Sequence, residues 1–188
     1  MESHGFDAAE MAGGLLREAL PRRWAHSQGV AARAAQLAPV VGAEAKVLAQ
    51  AAVLHDVGYA PSLVVTGFHP LDGARFLRAR GDIDEQVVRL VANHSFALLE
   101  AGERGLRREL ESEFPLLDEP LLVDALVFCD MTTTPDGTVT TAEARIEEIR
   151  ERYGEDSIVG RFIRRAAPEI YASVRRVQEA AAAAGVEL

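Results

Sequence analysis

The run Ala51-Ala52-Val53-Leu54-His55-Asp56-Val57-Gly58 is the most informative stretch of this 188-residue chain. Its first four residues continue an apolar helical pattern that leaves little polar surface, and this pattern predicts a central buried helix. An imidazole and a carboxylate then stand side by side where Gly58 and Pro61 are expected to end that helix. Adjacent side chains on a regular helix point about 100° apart, so both can face one ion only near such an end. The pair therefore predicts a metal site.

Four further residues with metal-ligand side chains lie on the other predicted helices or at their ends. Imidazole nitrogen and carboxylate oxygen form a mixed ligand set that suits Mn, Fe, Co, Ni or Zn, whereas Mg favours more oxygen. We therefore expect one or two divalent ions, whose identity the ligands leave open. A bound ion of this kind lowers the pKa of water and stabilises charge on a phosphoryl oxygen. The candidate metal ligands are His26, His55, Asp56, His69, His94 and Asp130.

A helical period of apolar residues runs along nearly the whole chain, and no alternating strand pattern is clear. The pattern predicts an all-α, single-domain helical bundle, with an N-terminal helix within residues 1–20 and the main helical domain over 21–188. After a turn at Pro135-Asp136-Gly137, Thr140-Thr141-Ala142-Glu143 has the spacing of a capping box. Pro168 is expected to kink or divide the last helix. The charged stretch 100–113 indicates a solvated helix or ordered loop, or else a substrate-side insertion.

The composition of the chain limits its partners. The formal net charge is −9, which argues against nucleic acid or an anionic membrane surface as the main partner but leaves room for a small basic pocket. One cysteine, Cys129, excludes an internal disulfide, and the N-terminus lacks the basic and apolar regions of a secretion signal. We therefore expect a cytoplasmic protein. Ile158, Phe162 and Ile163 suit either the core or the face of a homodimer.

Three segments, in this order, resemble the HD-domain superfamily of metal-dependent phosphohydrolases. Each motif alone is weakly specific, whereas the ordered set is strong. The resemblance covers about residues 22–133 and implies a helical fold of the HD-domain type. The segments are Arg22-Arg23-Trp24-Ala25-His26-Ser27, similar to the opening histidine segment of the family, Leu54-His55-Asp56-Val57-Gly58, similar to its name-giving doublet, and Leu126-Val127-Phe128-Cys129-Asp130, similar to its closing aspartate helix.

The resemblance also implies roles for individual residues. In the two-metal branch of the family, histidines placed like His69 and His94 complete a second site, and Asp56 bridges both ions. The alternative is that one of these histidines is protonated and binds phosphate beside a single ion. Asp56 and His94 thereby receive catalytic roles. The first metal site that the resemblance implies consists of His26, His55, Asp56 and Asp130, and the groups near a substrate phosphate are Arg22, Arg23 and His69.

The activity that the resemblance implies is phosphate ester or anhydride hydrolysis through a metal-bound hydroxide, on a nucleotide or a related small phosphorylated metabolite. The alternatives are a catalytically silent signalling or scaffold module that keeps the metal site, and an oxygenase with a di-iron centre. Two departures from the family matter. Tyr59 stands where many members have a lysine that contacts phosphate. His94 is followed by Ser95 rather than by a second histidine, which disfavours cyclic dinucleotides as substrates.

The remaining polar residues have simpler interpretations. His4 is expected to be uninvolved in the site, and Cys129 to be a small buried apolar residue. The threonine run 132–134 suits either phosphate binding or capping of the turn that follows it. Other aspartates indicate helix caps or solvated carboxylates: Asp72, Asp82, Asp84 and Asp136.

Overall fold

The computed structural model describes residues 7–188, so His4 and the start of the predicted 1–20 segment lie outside the described residues. Over the described range the chain is helical and has no strand, apart from an isolated bridge between Thr133 and Val139. The predicted all-α fold is confirmed. The helices are α1 (Ala8–Leu16), α2 (Pro21–Gln36), α3 (Ala38–Val41), α4 (Ala45–Leu54), α5 (His69–Arg80), α6 (Glu85–Asn93), α7 (Ala97–Arg104), α8 (Arg107–Glu113), α9 (Pro120–Met131), α10 (Ala142–Tyr153) and α11 (Ile158–Ala183).

Helix α4 lies at the centre of the fold, as its apolar sequence predicts. Leu48, Ala51, Ala52 and Leu54 are fully buried, and α4 packs against α1, α2, α6 and α9. Helix α9 is buried over most of its length and packs against the long helix α11. The buried side chains form one cluster that extends from α1 to α11. Burial of each large apolar side chain contributes about 1.5–3 kcal/mol, so this cluster holds the helix ends in place.

The end of α4 differs in detail from the prediction. The helix ends at Leu54, and His55 and Asp56 follow it in a turn that leads into the 3-10 turn Val57–Tyr59. Gly58 does not adopt a left-handed conformation there. A Cβ atom on Gly58 would overlap the carbonyl oxygen of His69 at the start of α5. The glycine therefore permits close approach of two backbones and is not what turns the chain out of the helix.

A second close approach places α2 against the turn that follows α9. The amide of Gly137 donates to the carbonyl oxygen of Thr134 (2.9 Å), which confirms the predicted turn. Gly137 has a φ of +82°, a value that glycine adopts without strain. A Cβ atom on Gly29 of α2 would overlap the carbonyl oxygen of Gly137. Two glycines thus let this turn lie directly on α2, beside His26.

The predicted capping box at the start of α10 is wrong by one residue. The N-cap is Thr141, whose side-chain oxygen accepts a hydrogen bond from the amide of Ala144 (3.2 Å). Thr140 instead donates its amide to the carbonyl oxygen of Thr132 (3.0 Å). Because the amide of Thr140 pairs with Thr132 outside the helix, the helix begins one residue later and Glu143 no longer has the capping-box position.

Two predictions for the second half of the chain are also corrected. Helix α11 is not divided at Pro168, because its packing against α7, α9 and α10 offsets the missing backbone hydrogen bond. A kink at that residue stays a prediction. The charged stretch 100–113 forms most of α7 and α8, but not all of it is solvated. Glu100 is buried and pairs with Arg104 (2.7 Å).

Among residues 7–188, no single helix is both long and apolar enough to cross a membrane, although Pro21–Gln36 and Ala38–Tyr59, bent by 53° at their junction, pass by length and composition when taken together.

Candidate metal centre

The six predicted metal-ligand residues come together although they belong to five different helices or the turns that follow them. Five of the six are at most 8% exposed, and His69 is partly buried. Each ligand is placed by a helix that packs an apolar face or its whole length in the core. The ligand residues are His26 on α2, His55 and Asp56 after α4, His69 at the start of α5, His94 after α6 and Asp130 near the end of α9.

The carboxylate of Asp56 divides this cluster into two halves. Its Oδ2 atom lies 3.4 Å from Nε2 of His55 and 3.9 Å from Nε2 of His26. Its Oδ1 atom lies 3.3 Å from Nε2 of His69 and 3.9 Å from Nε2 of His94. One carboxylate thus presents a different oxygen to each pair of histidines, which is the arrangement that a ligand bridging two ions requires.

Asp130 belongs with His26 and His55. Its Oδ1 atom lies 3.0 Å from Nε2 of His26 and 3.7 Å from Nε2 of His55. On the other side of the cluster, the Nε2 atoms of His69 and His94 are 3.2 Å apart. In the part of the chain that the structure describes, three overlapping groups have ligand atoms within 4.8 Å of one another: His26 with His55 and Asp56, His55 with His94 and Asp130, and Asp56 with His69 and His94.

Backbone carbonyl groups orient three of the four histidines. A carbonyl oxygen can only accept a hydrogen bond, so each Nδ1 atom carries a proton and each Nε2 atom of a neutral ring keeps its lone pair for a metal. This partner for the second ring nitrogen is typical of histidines that bind metals in proteins. The Nδ1 atoms donate from His26 to Thr134 (3.0 Å), from His55 to Ala52 (2.7 Å) and from His94 to Val91 (2.7 Å).

The lone pair of His55 shows that the cluster fits a cation. Its Nε2 atom is buried and has no hydrogen-bond partner within residues 7–188. An unpaired polar atom in the interior costs free energy, and two buried carboxylates close to each other add to that cost. A divalent ion satisfies the lone pair and offsets both negative charges. The mixed nitrogen and oxygen donors suit a transition metal.

Burial and charge set the protonation of the cluster. Burial lowers the pKa of His55 and lowers the pKa of His69 to about 3. Burial alone would raise the pKa of Asp56, but electrostatic interactions with His55 and with the guanidinium of Arg23 hold it well below its usual range. Burial acts in the same direction on Asp130, and the hydrogen bond with His26 keeps that pKa low. Ionised carboxylates and neutral imidazoles are the forms that bind metals.

His26 differs from His55 and His69 in its affinity for a proton. Burial would lower the pKa of His26, but the hydrogen bond and the charge of Asp130 raise it above its ordinary value. When protonated, the ring donates to Asp130 through Nε2 and to the carbonyl of Thr134 through Nδ1. A metal ion bound by His26 must therefore displace a proton.

Arg23 lies at the cluster, where the carboxylate of Asp56 and the ring of Tyr59 hold its guanidinium. Its Nη1 atom donates to Oδ2 of Asp56 (2.8 Å). Its guanidinium lies 3.9 Å from the ring centroid of Tyr59. Tyr59 in turn stacks on His69, with centroids 3.8 Å apart and planes 17° from parallel. Tyr59 therefore positions Arg23, a predicted phosphate-binding residue, and His69, a predicted metal ligand. Sequence reasoning missed this role of Tyr59.

Other candidate residues already have hydrogen-bond or ion-pair partners within the protein. Arg22 is exposed, pairs with Asp136 (2.8 Å) and lines a second cavity that adjoins the metal cluster. The hydroxyl groups of Thr132 and Thr133 donate to carbonyl oxygens of α9 at 2.6 and 2.7 Å, so they cap that helix. Burial raises the pKa of the Cys129 thiol, which keeps it in its unreactive form.

Ser95 is a second residue that sequence reasoning missed. Its hydroxyl donates to Oδ2 of Asp130 at 2.5 Å, while the other oxygen of that carboxylate faces His26. Ser95 and Phe96 both have positive φ values, 48° and 62°. Left-handed backbone at non-glycine residues stores strain and commonly occurs at functional sites. The sequence carries no signal for it, because nothing in Ser-Phe favours this conformation.

A cavity of about 210 Å³ opens onto the cluster. Its far wall belongs to α10 and α11 and includes Ile149, Phe162 and Ile163, all beyond the predicted motif core 22–133. Phe162 and Ile163 therefore line the interior, and a homodimer remains a prediction. The charged groups that line the cavity are the arginines Arg23, Arg104, Arg145 and Arg152 and the carboxylates Asp56, Glu100 and Asp130.

Comparison with known proteins agrees with this geometry. Residues 23–166 match the HD domain family, which is more than half of the chain. The chain belongs to the HD domain family. HD domains are metal-dependent phosphohydrolases as a group, and His55-Asp56 is the doublet that names them. The match begins near the predicted start of the HD motif core and continues through α10 into α11.

One curated relative of this HD domain is Ribonuclease Y from Rubrobacter xylanophilus. It is 43% identical over 70 residues, which are 37% of this chain and 14% of the relative. The chain therefore matches only a small part of that protein. No solved structure matches the chain significantly.

Proposed function

We propose that this HD domain is an enzyme, a phosphohydrolase that cleaves a phosphoester or phosphoanhydride of a nucleotide or a related small metabolite. The observation that carries the proposal is the position of Asp56 between two pairs of histidines, with one carboxylate oxygen toward each pair. Burial of so many polar groups costs stability. A site that binds two ions and a phosphate between them offsets this cost and gives the arrangement a chemical purpose.

In the proposed reaction, the oxygen of water adds to phosphorus and the bond from phosphorus to the leaving oxygen breaks. One proton of the water passes to that leaving oxygen. A divalent ion supplies Lewis acidity, which stabilises charge on the phosphoryl oxygens and lowers the pKa of water. One ion would be held by His26, His55, Asp56 and Asp130, and a second by Asp56, His69 and His94.

Arg23 is the arginine that we expect to bind an oxygen of the reacting phosphate. It lines the cavity beside Asp56 and donates to that carboxylate. Stacking on Tyr59 restricts its guanidinium before any substrate binds, and a planar guanidinium matches two phosphate oxygens at once. Many members of the family have a lysine at the position of Tyr59. In this chain the tyrosine carries no positive charge of its own but positions the charged guanidinium of Arg23.

The charge of the cavity favours a small anion as substrate. Four arginines and three carboxylates line it, although the whole chain has a formal net charge of −9. Bound divalent ions would add to this local excess of positive charge. Outside the cavity, an acidic chain offers little attraction for a long nucleic acid. The name Ribonuclease Y nevertheless makes RNA a substrate to be tested.

Reconstitution with metal tests the proposal. Protein stripped with a chelator is reloaded separately with Mn, Fe, Co, Ni, Zn and Mg and assayed with nucleoside mono-, di- and triphosphates, dinucleoside polyphosphates, a phosphomonoester and a short RNA. We expect metal-dependent hydrolysis of at least one small phosphate compound. Asp56→Asn keeps the size of the side chain and should lower the rate more than about 100-fold.

Asp118→Asn, which changes an exposed carboxylate outside the cavity lining, is the matched control and should retain the wild-type rate. If the protein binds metal but hydrolyses none of these compounds with any metal tested, the enzyme proposal is rejected in favour of the catalytically silent signalling or scaffold module. Cleavage of RNA alone would reject the small-metabolite substrate.

A further inference from the structure

Arg145 on α10 is a buried cation with an unused donor. The residue is 7% exposed, and its Nε atom has no hydrogen-bond partner among the described residues. Its Nη1 atom donates to Glu148 one turn along the same helix. A guanidinium has five N–H donors in a fixed plane, and a buried donor without a partner is costly. This residue lies outside the metal cluster and outside the three motifs.

The position of Arg145 connects two cavities. It lines both the cavity that opens onto the metal cluster and the adjoining cavity between α2 and α10. Arg152, two turns along α10, also lines both. The carboxylate of Glu148 pairs with both arginines, so one negative charge faces two positive charges. This small surface therefore keeps a net positive charge beside the metal cluster.

We propose that Arg145 and Arg152 bind a second phosphate group of the substrate, so that the enzyme acts on compounds with at least two linked phosphates. The inference rests on the proposed function, because it assumes that another phosphate reacts at the metal cluster. The Nε atom of Arg145 has no partner, and Arg145 and Arg152 share the single carboxylate of Glu148, so N–H donors of this pair are left for an anion. A phosphomonoester has no second phosphate group to supply that anion. Ile149 and Phe162 on the same wall suit the organic part of such a compound.

Binding of inorganic pyrophosphate and orthophosphate to metal-loaded protein tests the proposal without turnover of a nucleotide. Calorimetry gives the dissociation constant of each anion, and we expect the wild type to prefer pyrophosphate. In Arg145→Met, pyrophosphate affinity should fall roughly 10- to 100-fold, and that of orthophosphate much less. The matched control is Arg150→Met, an arginine on α10 that pairs with Glu147 and Glu155 outside both cavities; it should change neither constant more than about twofold.

Two further variants keep the test decisive. If Arg145→Met lowers the melting temperature so far that binding cannot be measured, Arg152→Met takes its place, because Arg152 is more exposed. Arg145→Lys restores charge without the planar fork and should recover only part of the preference. An unchanged ratio of the two dissociation constants in Arg152→Met and in any folded Arg145 variant overturns the proposal.

The result is separable from the proposed enzyme activity. If no phosphate compound is hydrolysed but the preference for pyrophosphate depends on Arg145, the second phosphate site stands and the enzyme proposal fails. If phosphate compounds are hydrolysed and the preference is the same in all variants, the enzyme stands and this site is rejected.

Discussion

Ser95 donates a hydrogen bond of 2.5 Å to Asp130 from a backbone in the left-handed region. The turn that carries Ser95 begins at His94, so the same short segment supplies a ligand to one half of the cluster and orients a ligand of the other half. Oδ1 of Asp130 faces His26 while Oδ2 accepts from Ser95. This hydrogen bond therefore connects the segment of His94, in one half of the metal centre, to Asp130 in the other half.

Replacement of Ser95 is expected to weaken metal binding. Ser95→Ala should lower metal affinity roughly 10- to 100-fold, as loss of groups that orient metal ligands usually does. Ser95→Gly removes the same hydroxyl but relieves the left-handed strain, so it should bind metal as weakly while resisting denaturant better than the alanine variant. Metal titration and urea unfolding measure the two effects. Ser112→Ala, an exposed serine on α8, is the control, and wild-type affinity in Ser95→Ala would contradict this role.

The two-ion arrangement predicts a specific change in metal content. We expect two ions per wild-type molecule and one in His94→Ala, because Oδ1 of Asp56 then retains only His69 as a partner. His69→Ala should give the same content, since both histidines belong to one group. Emission spectroscopy of dialysed protein measures the stoichiometry. Wild-type metal content in His94→Ala would remove His94 from the ligands and favour its binding phosphate beside one ion.

Metal affinity is expected to fall as the pH falls through the pKa of His26. That pKa is raised by Asp130, so the metal-free protein keeps a proton on His26 at pH values where an ordinary histidine has lost it. Below the pKa, a metal ion must displace this proton, and affinity should drop about tenfold for each pH unit. The pKa of His69, about 3, adds no dependence near neutrality.

Calorimetric titration with one metal, from about pH 5.5 to about pH 8, checks this dependence. Repeating the titration in buffers of different ionisation enthalpy counts the protons released. An affinity that is constant over the whole range would show that His26 is already neutral in the metal-free protein.

The close approach at Gly58 predicts a large effect from one methyl group. Gly58→Ala should destabilise the fold by about 1–3 kcal/mol, because its Cβ overlaps backbone atoms of His69 that cannot rotate away. Gly14→Ala is the matched control: a Cβ atom at this exposed position of α1 meets no atom within 4 Å, and the change should stabilise by about 0.5–1 kcal/mol. Urea unfolding measures both, and equal stability of Gly58→Ala and the wild type would refute the packing role.

Much of the fold follows from local patterns in the sequence. Apolar periodicity predicts the all-α class and the central buried helix that ends just before His55 and Asp56, observed as α4, because it records which face of a helix is buried. The first residue of a helix does not follow from this periodicity. The amide of Thr140 pairs with Thr132, eight residues earlier, and this contact moves the start of α10 by one residue. Such pairing is set by the neighbouring turn and has no local signature.

The sequence by itself determined the all-α class, because apolar periodicity records which helix faces are buried, and its resemblance to the HD-domain superfamily implied which histidines and aspartates meet. Only the tertiary structure decided how they meet. In the folded protein, one oxygen of Asp56 faces each histidine pair. Arg23 lies at the cluster and Arg22 outside it, and Arg145 forms part of the cavity wall. These features depend on contacts between residues far apart in the chain, such as the approach of Gly29 to Gly137, and no local periodicity encodes them.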